Sequence, residues 1–425
     1  PAGDAAPERA PEAAHVPVRD EGGHFRFETA CFRVEVDKGS GQVDTLFDKR
    51  TCRFVVRRGT IGWRDRNGTL NQLSVHDEEP THMSAWTIGR VERIRNLLAG
   101  ADASVVEDGP IRRILRFVHT VDGSRIEQDL AFEDAGTRID VRTRVDWNEY
   151  GDFDRPAPML RVSCSPDVAC ADALYEIPFG TLARPGQDRE QPSLRFVDLS
   201  DRSGAFGFAL LNDGKHGHRA MGNVLELALV RSGWLPDPQS DVGLHEFTYS
   251  MMPHPGGAFD GRVPEEAACL NLSPRVAPLP AFPSPAAAPT APPISAVPAG
   301  QVRLPPTASF AGILEGTACL SALKTAESGD GWILRLYDPT GLGGESRVRV
   351  DDPFGRIRPV QAEETDLLER SAGRTLPVAE GQFRVALHPY EIRTFLLRNP
   401  DDGRDIRPAD PAGPGALPES AGMGG

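Results

Sequence analysis

Residues 24–48 read HFRFETACFRVEVDKGSGQVDTLFD. Phe32, Val34 and Val36 stand on alternate positions, the period of a strand that buries one face. The run turns at Gly39-Ser40-Gly41 and resumes from Val43 to Phe47. The same signature recurs at IRRILRFVHT (111–120), RIEQDLAFED (125–134), TRIDVRTRVDW (137–147), GAFGFALL (204–211), NVLELALV (223–230) and HEFTYSMM (245–252). No stretch of helical period exceeds about a dozen residues. Residues 21–273 are therefore read as one large all-β domain.

The flanks differ in composition. Residues 1–20 carry no hydrophobic period and read as a disordered leader or linker. Residues 274–306 are dense in Pro and Ala, the composition of an extended, semi-rigid connector. A second β block, 307–398, holds AGILEGTACLSALK, WILRLYDP, ESRVRV and FRVALHPYEIRTFLLR and has the size of a small sandwich. Within it QAEETDLLERS (361–371) predicts one short helix. Residues 399–425, rich in Gly, Pro and Asp, predict a flexible tail.

Bulk properties bound the function. The 425 residues suffice for roughly two or three domains. A net charge of −14 without any basic block repels phosphate backbones and anionic membranes, so neither nucleic acid nor a membrane is expected as partner. No apolar run reaches the ~20 residues that span a bilayer, and no charged start followed by an apolar stretch marks a signal peptide. Six cysteines spread along the chain without a second close pair read as reduced core thiols, which fits a cytoplasmic protein. Lysine appears only at 38, 49, 215 and 324, and with the Ala and Pro enrichment this suggests a GC-rich bacterial genome. The first residue is Pro1 rather than Met, as expected of a chain processed, trimmed or taken from within a longer one.

Several stretches carry polar groups where chemistry could reside. In LLNDGKHGH (210–218), Asn212-Asp213-Gly214 predicts a hairpin turn. His216 and His218 would share one face if a strand began at once, the spacing a metal needs. No third ligand stands nearby and Gly217 suggests a continuing loop, so a loop is the preferred reading. In GLHEFTYSMMPH (243–254), His245, Phe247 and Tyr249 share a core-like face, where polar tips need buried partners. The face of Leu225, Leu227 and Leu229 continues into Arg231, which must pair or point into a cleft; Asp237 and Asp241 are candidate partners. Asp146, Glu149, Glu176 and Glu246 read as solvated strand ends. Glycoside chemistry would need two carboxyls about 5 or 6.5–9.5 Å apart. No phosphate loop, nucleophile elbow or Cys/His pair in motif context appears.

RVDWNEY (144–150), LYEIPFGTLARP (174–185), GFALLNDGKHG (207–217), LALVRSGWLPDPQSDVGLHEFTYSMMPH (227–254) and SALKTAESGDGWILRLYDPTG (321–341) follow one another in fixed order. Together they resemble the C-terminal β region of α-mannosidases of glycoside hydrolase family 38, along most of residues 25–397. The resemblance implies a galactose-mutarotase-like supersandwich followed by a smaller C-terminal β-sandwich. It also implies that catalysis, a retaining hydrolysis of terminal α-mannosides, belongs to a preceding α/β barrel and helical bundle that hold zinc and an attacking aspartate. The zinc motif there begins with His-x-Asp, and none of the ten histidines here has Asp two residues later. No catalytic residue, metal ligand or cofactor is therefore expected on this chain. Its implied role is to buttress its own N-terminal catalytic domain, frame the substrate cleft and help form a homo-oligomer. Asp213, His216, Arg231, His245, Tyr249 and His254 are the candidate substrate-facing residues. Departures from the family pattern are Ser84-Ala85-Trp86 in place of Asp-Ala-Trp, Phe196 in place of Trp, and His216 in place of an aromatic. Two other readings stay open: a stand-alone carbohydrate-binding module stacking sugars on Trp63, Trp86, Trp147 or Trp234, and an aldose-epimerase-like enzyme with His245 as acid and a Glu base.

Overall fold

The computed structural model describes residues 15–57, 68–168, 170, 172–187, 189–276, 308–350 and 358–399. Trp63, most of the leader, nearly all of the Pro/Ala connector and the tail beyond Asn399 lie outside them. The chain divides into two compact units, Pro1–Pro178 with Leu182–Ala277, and Phe179–Thr181 with Pro278–Gly425.

In the first unit the stretch 24–48 forms three antiparallel strands, His24–Glu28, Phe32–Asp37 and Val43–Asp48. Their register sets Phe25 against Val36 and Phe27 against Val34, and these four side chains are buried together with Phe32 and Val43. The alternation therefore translates directly into a core face. The turn is held by Asp37, whose Oδ1 accepts from Ser40 N at 2.9 Å and Ser40 Oγ at 2.7 Å. Gly41 is obligatory there: its φ is +73° and a Cβ would sit 2.9 Å from the Phe117 ring. With Arg19–Glu21 and Arg53–Val56 these strands make a five-stranded meander.

Two larger sheets complete this unit. A nine-stranded sheet runs in the order Gly180–Pro185, Asp172–Ile177, Phe196–Ser200, Phe206–Asn212, Gly243–Pro255, Ile139–Trp147, Ser124–Glu133, Arg112–Val121, Asp102–Asp108. A six-stranded sheet runs Gln191–Pro192, Gly217–Met221, Val224–Arg231, Ala157–Cys164, Gln72–Glu78, Val91–Asn96. One contiguous apolar core draws on all three sheets, including Phe25, Val75, Leu115, Val162, Leu227 and Met251. The helix Val263–Asn271, with Pro264 in its first turn, packs Val263 and Ala267 against Phe196, Leu211 and Met252.

Asn212-Asp213-Gly214 does not close a hairpin, contrary to the expectation from its residue types. The strand before it belongs to the nine-stranded sheet and the strand after it to the six-stranded one. Asn212 Oδ1 accepts from Gly214 N and Lys215 N, both at 2.9 Å, and this side-chain turn redirects the chain from one sheet to the other. The hairpin lies further on, at Gly222-Asn223, where Met221 pairs with Val224.

A polar knot sits inside the core. Tyr249 Oη donates to Asn71 Oδ1 and receives Gln128 Nε2 at 2.7 Å, while Asn71 Nδ2 donates to Gly41 O and to Gln128 Oε1, each at 3.1 Å. Burial holds the Tyr249 hydroxyl well above its ordinary pKa, so it remains a donor. Replacing Tyr249 with Phe strips two fully buried amides of a partner and is expected to cost about 1–3 kcal/mol. The measurement is the urea midpoint of unfolding, and an unchanged midpoint contradicts the assignment.

The second unit pairs a three-stranded sheet (Ala311–Glu315, Gly344–Val350, Gln382–Leu387) with a five-stranded one (Cys319–Thr325, Trp332–Tyr337, Ile392–Arg398, Gln361–Thr365, Ser371–Pro377). Leu334, Leu336, Val348, Phe383, Phe395 and Leu397 form its core. The short helix expected at 361–371 is a hairpin instead. Ala362 is buried against Leu397 in the neighbouring strand, Glu363 and Glu364 pair with Arg398 and Arg393, and Asp366 Oδ1 caps the turn through Leu368 N and Arg370 N. Tertiary pairing overrides the helical preference of Glu and Leu. Among the described residues the fold is thus all-β apart from one short helix, a large multi-sheet sandwich followed by a smaller one, as the sequence predicts.

Candidate functional site

Strands of a sheet buried on one face put polar residues on the other, and the outer face of the six-stranded sheet is unusually charged. Arg161 and Glu226 interrupt APMLRVSC and VLELALVR, and only 2% and 1% of their surfaces remain exposed. Two charges so deeply placed must pair. Arg161 Nη1 donates to Glu226 Oε2 at 3.0 Å, Arg219 Nε donates to the same oxygen at 2.8 Å, and Glu190 closes on Arg161 from the other side. Burial pulls the Arg161 guanidinium down to about 10, against the attraction of Glu226, so it stays charged at neutral pH.

Above this network opens a cleft of about 820 Å³. Arg161, Arg189, Glu190, Arg219, Met159 and Met221 line it with His76 beside them, and one wall is the segment 86–94. That wall carries Trp86, 66% exposed, and Ile88 and Ile94, also exposed.

Arg231 secures the wall. It makes a bidentate pair with buried Glu78 (2.9 Å for each bond) and donates to Ser84 O at 2.5 Å and Thr87 O at 2.8 Å. Asp237 and Asp241, the partners expected from local sequence, are not the ones used. Glu78 stands 153 positions away and is brought near by register: Met159 pairs with Arg231 on one side and His76 on the other, and Glu78 lies two residues beyond His76, opposite Ala157. Ser84 Oγ accepts from Trp234 N at 3.0 Å and Leu235 N at 2.9 Å, which ties the wall to the segment after Arg231.

The other candidate residues fall elsewhere. Asp213 accepts from Thr248 N at 2.8 Å at the end of the nine-stranded sheet. His216 is exposed, its Nδ1 3.0 Å from Ser193 O and 3.1 Å from Leu194 O. His218, in a strand that does begin at Gly217, is wholly buried beside Leu227, so the two histidines do not converge on an ion. His245 Nε2 lies 2.8 Å from Asp241 O. Tyr249 belongs to the core knot, and His254 is buried with Nε2 2.7 Å from Asp198 Oδ1. The cleft above Arg161 is lined by none of the six, and a smaller one beside Thr248 takes in Asp213 alone of them.

Among the remaining polar groups, Glu176 is buried on Arg195, whereas Glu246 is exposed. Trp147 and Trp234 are buried and Trp147 Nε1 donates to Ser232 Oγ at 2.8 Å, which leaves Trp86 as the tryptophan open for stacking among these three. Of the cysteines only Cys31 and Cys164 are buried, while Cys52 and Cys269 are exposed. One trio among the described residues brings donor atoms within reach of a single ion: His24, Asp37 and Asp44, with His24 Nε2 3.1 Å from Asp44 Oδ2. No helix of the described residues is long and apolar enough to cross a membrane.

The family model for the glycosyl hydrolases family 38 C-terminal domain matches residues 27–239, half of the chain. The chain belongs to glycosyl hydrolase family 38. The family 38 C-terminal beta sandwich domain matches residues 317–395, so both units of this family 38 chain are C-terminal domains of the family. The human alpha-mannosidase 2C1 is 29% identical over 398 residues, covering 89% of this chain and 34% of that protein. Alpha-mannosidase G of Dictyostelium discoideum is 26% identical over 372 residues, covering 84% and 31%. The chain thus spans about a third of the length of the curated relatives it matches. A family 38 protein from Enterococcus faecalis superposes with a TM-score of 0.66 at 14% identity, over 88% of this chain and 44% of that one, and shares its fold.

Proposed function

We propose that this chain is the non-catalytic C-terminal β portion of a bacterial, cytoplasmic α-mannosidase whose full-length form hydrolyses terminal α-mannosides. Its place is to support the enzyme's own N-terminal catalytic domain, to frame the substrate cleft and to help subunits associate as a homo-oligomer. Relatives bearing the name alpha-mannosidase over the matched third of their length support this reading. Zinc would belong to that catalytic domain: the His216 and His218 rings here point apart in function, one tied to backbone carbonyls and the other sealed in the core.

The observation that carries the proposal is how the carboxylates of the charged cleft are used. Retaining hydrolysis needs one carboxylate free to attack an anomeric carbon and a second able to deliver a proton. Glu226 is instead clamped between Arg161 and Arg219, which lowers its nucleophilicity. Purified 1–425 supplied with zinc is expected to release no nitrophenol from p-nitrophenyl α-mannopyranoside. Zinc-dependent turnover that disappears in Glu226→Gln would place the active centre here and refute the reading.

A further inference from the structure

We infer that His24, Asp37 and Asp44 form a binding site for one divalent transition-metal ion, with zinc the best-suited species. The three stand on adjacent strands of the five-stranded meander, His24–Glu28, Phe32–Asp37 and Val43–Asp48, so a hydrogen-bonded sheet fixes their spacing. His24 is opposite Asp37 in register. Its Nε2 lies 3.1 Å from Asp44 Oδ2 and 3.8 Å from Asp37 Oδ2, and the three donor atoms all fall within 4.8 Å of one another. Donors held about 2.1 Å from a common zinc stand roughly 3–3.6 Å apart, so rotation of a carboxylate completes the set.

The orientation of the donors points to a cation, beyond their proximity. Only 5% of the His24 side chain is exposed, and its Nδ1 lies 3.2 Å from Gly22 O. A carbonyl only accepts, so Nδ1 carries the hydrogen and Nε2 is the atom turned on the two carboxylates. An imidazole whose far N–H is fixed on a backbone carbonyl has the usual posture of a metal ligand. Asp37 is aimed in the same way: Ser40 N and Ser40 Oγ occupy its Oδ1, and Oδ2 faces the ring. No lysine or arginine pairs with Asp37 among the described residues, and Lys38, next in the chain, sends its ammonium to Asp20 at 2.6 Å. A proton on Nε2 hydrogen-bonds to Asp44 alone, because 3.8 Å to Asp37 is beyond hydrogen-bond range. A metal ion engages both carboxylates at once. One nitrogen with two oxygens suits zinc, whereas magnesium and calcium favour shells of oxygen alone. The bound ion ties three strands together, which links binding to folding.

The test is equilibrium dialysis of untagged 1–425 against zinc, with bound metal counted by atomic emission, beside thermal unfolding with and without the metal. One equivalent of zinc per chain is expected, with a rise of about 3 °C or more in unfolding temperature at about 100 µM zinc. Magnesium at the same concentration should change neither. Asp44→Asn and His24→Gln should each bind zinc roughly tenfold more weakly or worse and lose the thermal shift. Asp44→Asn keeps the side-chain volume, so it answers the question even where His24→Gln weakens folding. Exposed Cys52 and Cys269 are rival zinc ligands, so the double variant Cys52→Ser with Cys269→Ser must keep the equivalent. No bound equivalent, undiminished binding in Asp44→Asn, loss of the equivalent in the double serine variant, or a preference for magnesium would each overturn the inference. Mannoside hydrolysis plays no part in these readouts, so they stand apart from the role proposed above.

Discussion

Glu226→Ala is expected to destabilise the first unit by about 3–5 kcal/mol, the scale for removing one partner of a buried ion pair. Arg161 keeps its charge in a place where only 2% of its surface meets solvent, and Arg219 then repels it without the oxygen that both now share. The penalty is the stranded charge rather than the lost attraction. A paired replacement, Arg161→Met with Glu226→Leu, should recover part of the loss, because the most deeply buried cation and anion leave together while Glu190 and Arg219 keep some contact with solvent. Urea unfolding of the single and double variants decides the matter. A single-variant cost below about 1 kcal/mol would mean that the pair is solvated and worth no more than a surface ion pair.

Acid should weaken the protein through His218. Its ring is fully buried, Nδ1 lies 3.3 Å from His216 O, and Nε2 is sealed from solvent with no hydrogen bond among the described residues. Burial pushes its pKa down to about 4 from an ordinary 6.5, against the hydrogen bond to His216 O and with small help from the His216 and Arg161 charges. The unfolded chain therefore takes up a proton at a higher pH than the folded one. Stability is full above pH 6.5, falls by about 1.4 kcal/mol per pH unit below it, and levels off near pH 4 after a total of roughly 3 kcal/mol. His218→Met removes the proton acceptor while roughly keeping the volume. The difference in urea midpoint between pH 7.5 and 4.5 should be distinctly smaller in that variant than in the parent. Equal pH responses would show that the ring is hydrated in the folded state.

Periodicity revealed most of the strands because each has one dry face, and Phe25, Val34 and Val36 sit where alternation puts them. What it could not reveal is which sheet a strand joins. Asn-Asp-Gly is equally suited to a two-residue hairpin and to a side-chain turn that changes sheets, and only the pairing of the flanking strands separates the two. The same limit hid the partner of Arg231, since Glu78 is brought near by register across Ala157–Cys164 rather than by chain proximity. QAEETDLLERS was misleading because its helical residues are good strand edges once Ala362 finds Leu397. The charged cleft left a signal that went unread: a lone Arg in APMLRVSC and a lone Glu in VLELALVR, each an ion inside an apolar run.

The strand Gly243–Pro255 is the last strand of the first unit in the chain, yet it lies in the middle of the nine-stranded sheet, between Ile139–Trp147 and Phe206–Asn212. A ribosome thus delivers two partial sheets before it delivers the piece that joins them. Until then each offers a row of unsatisfied amides and carbonyls to any extended peptide nearby, and a chaperone has reason to wait on that gap.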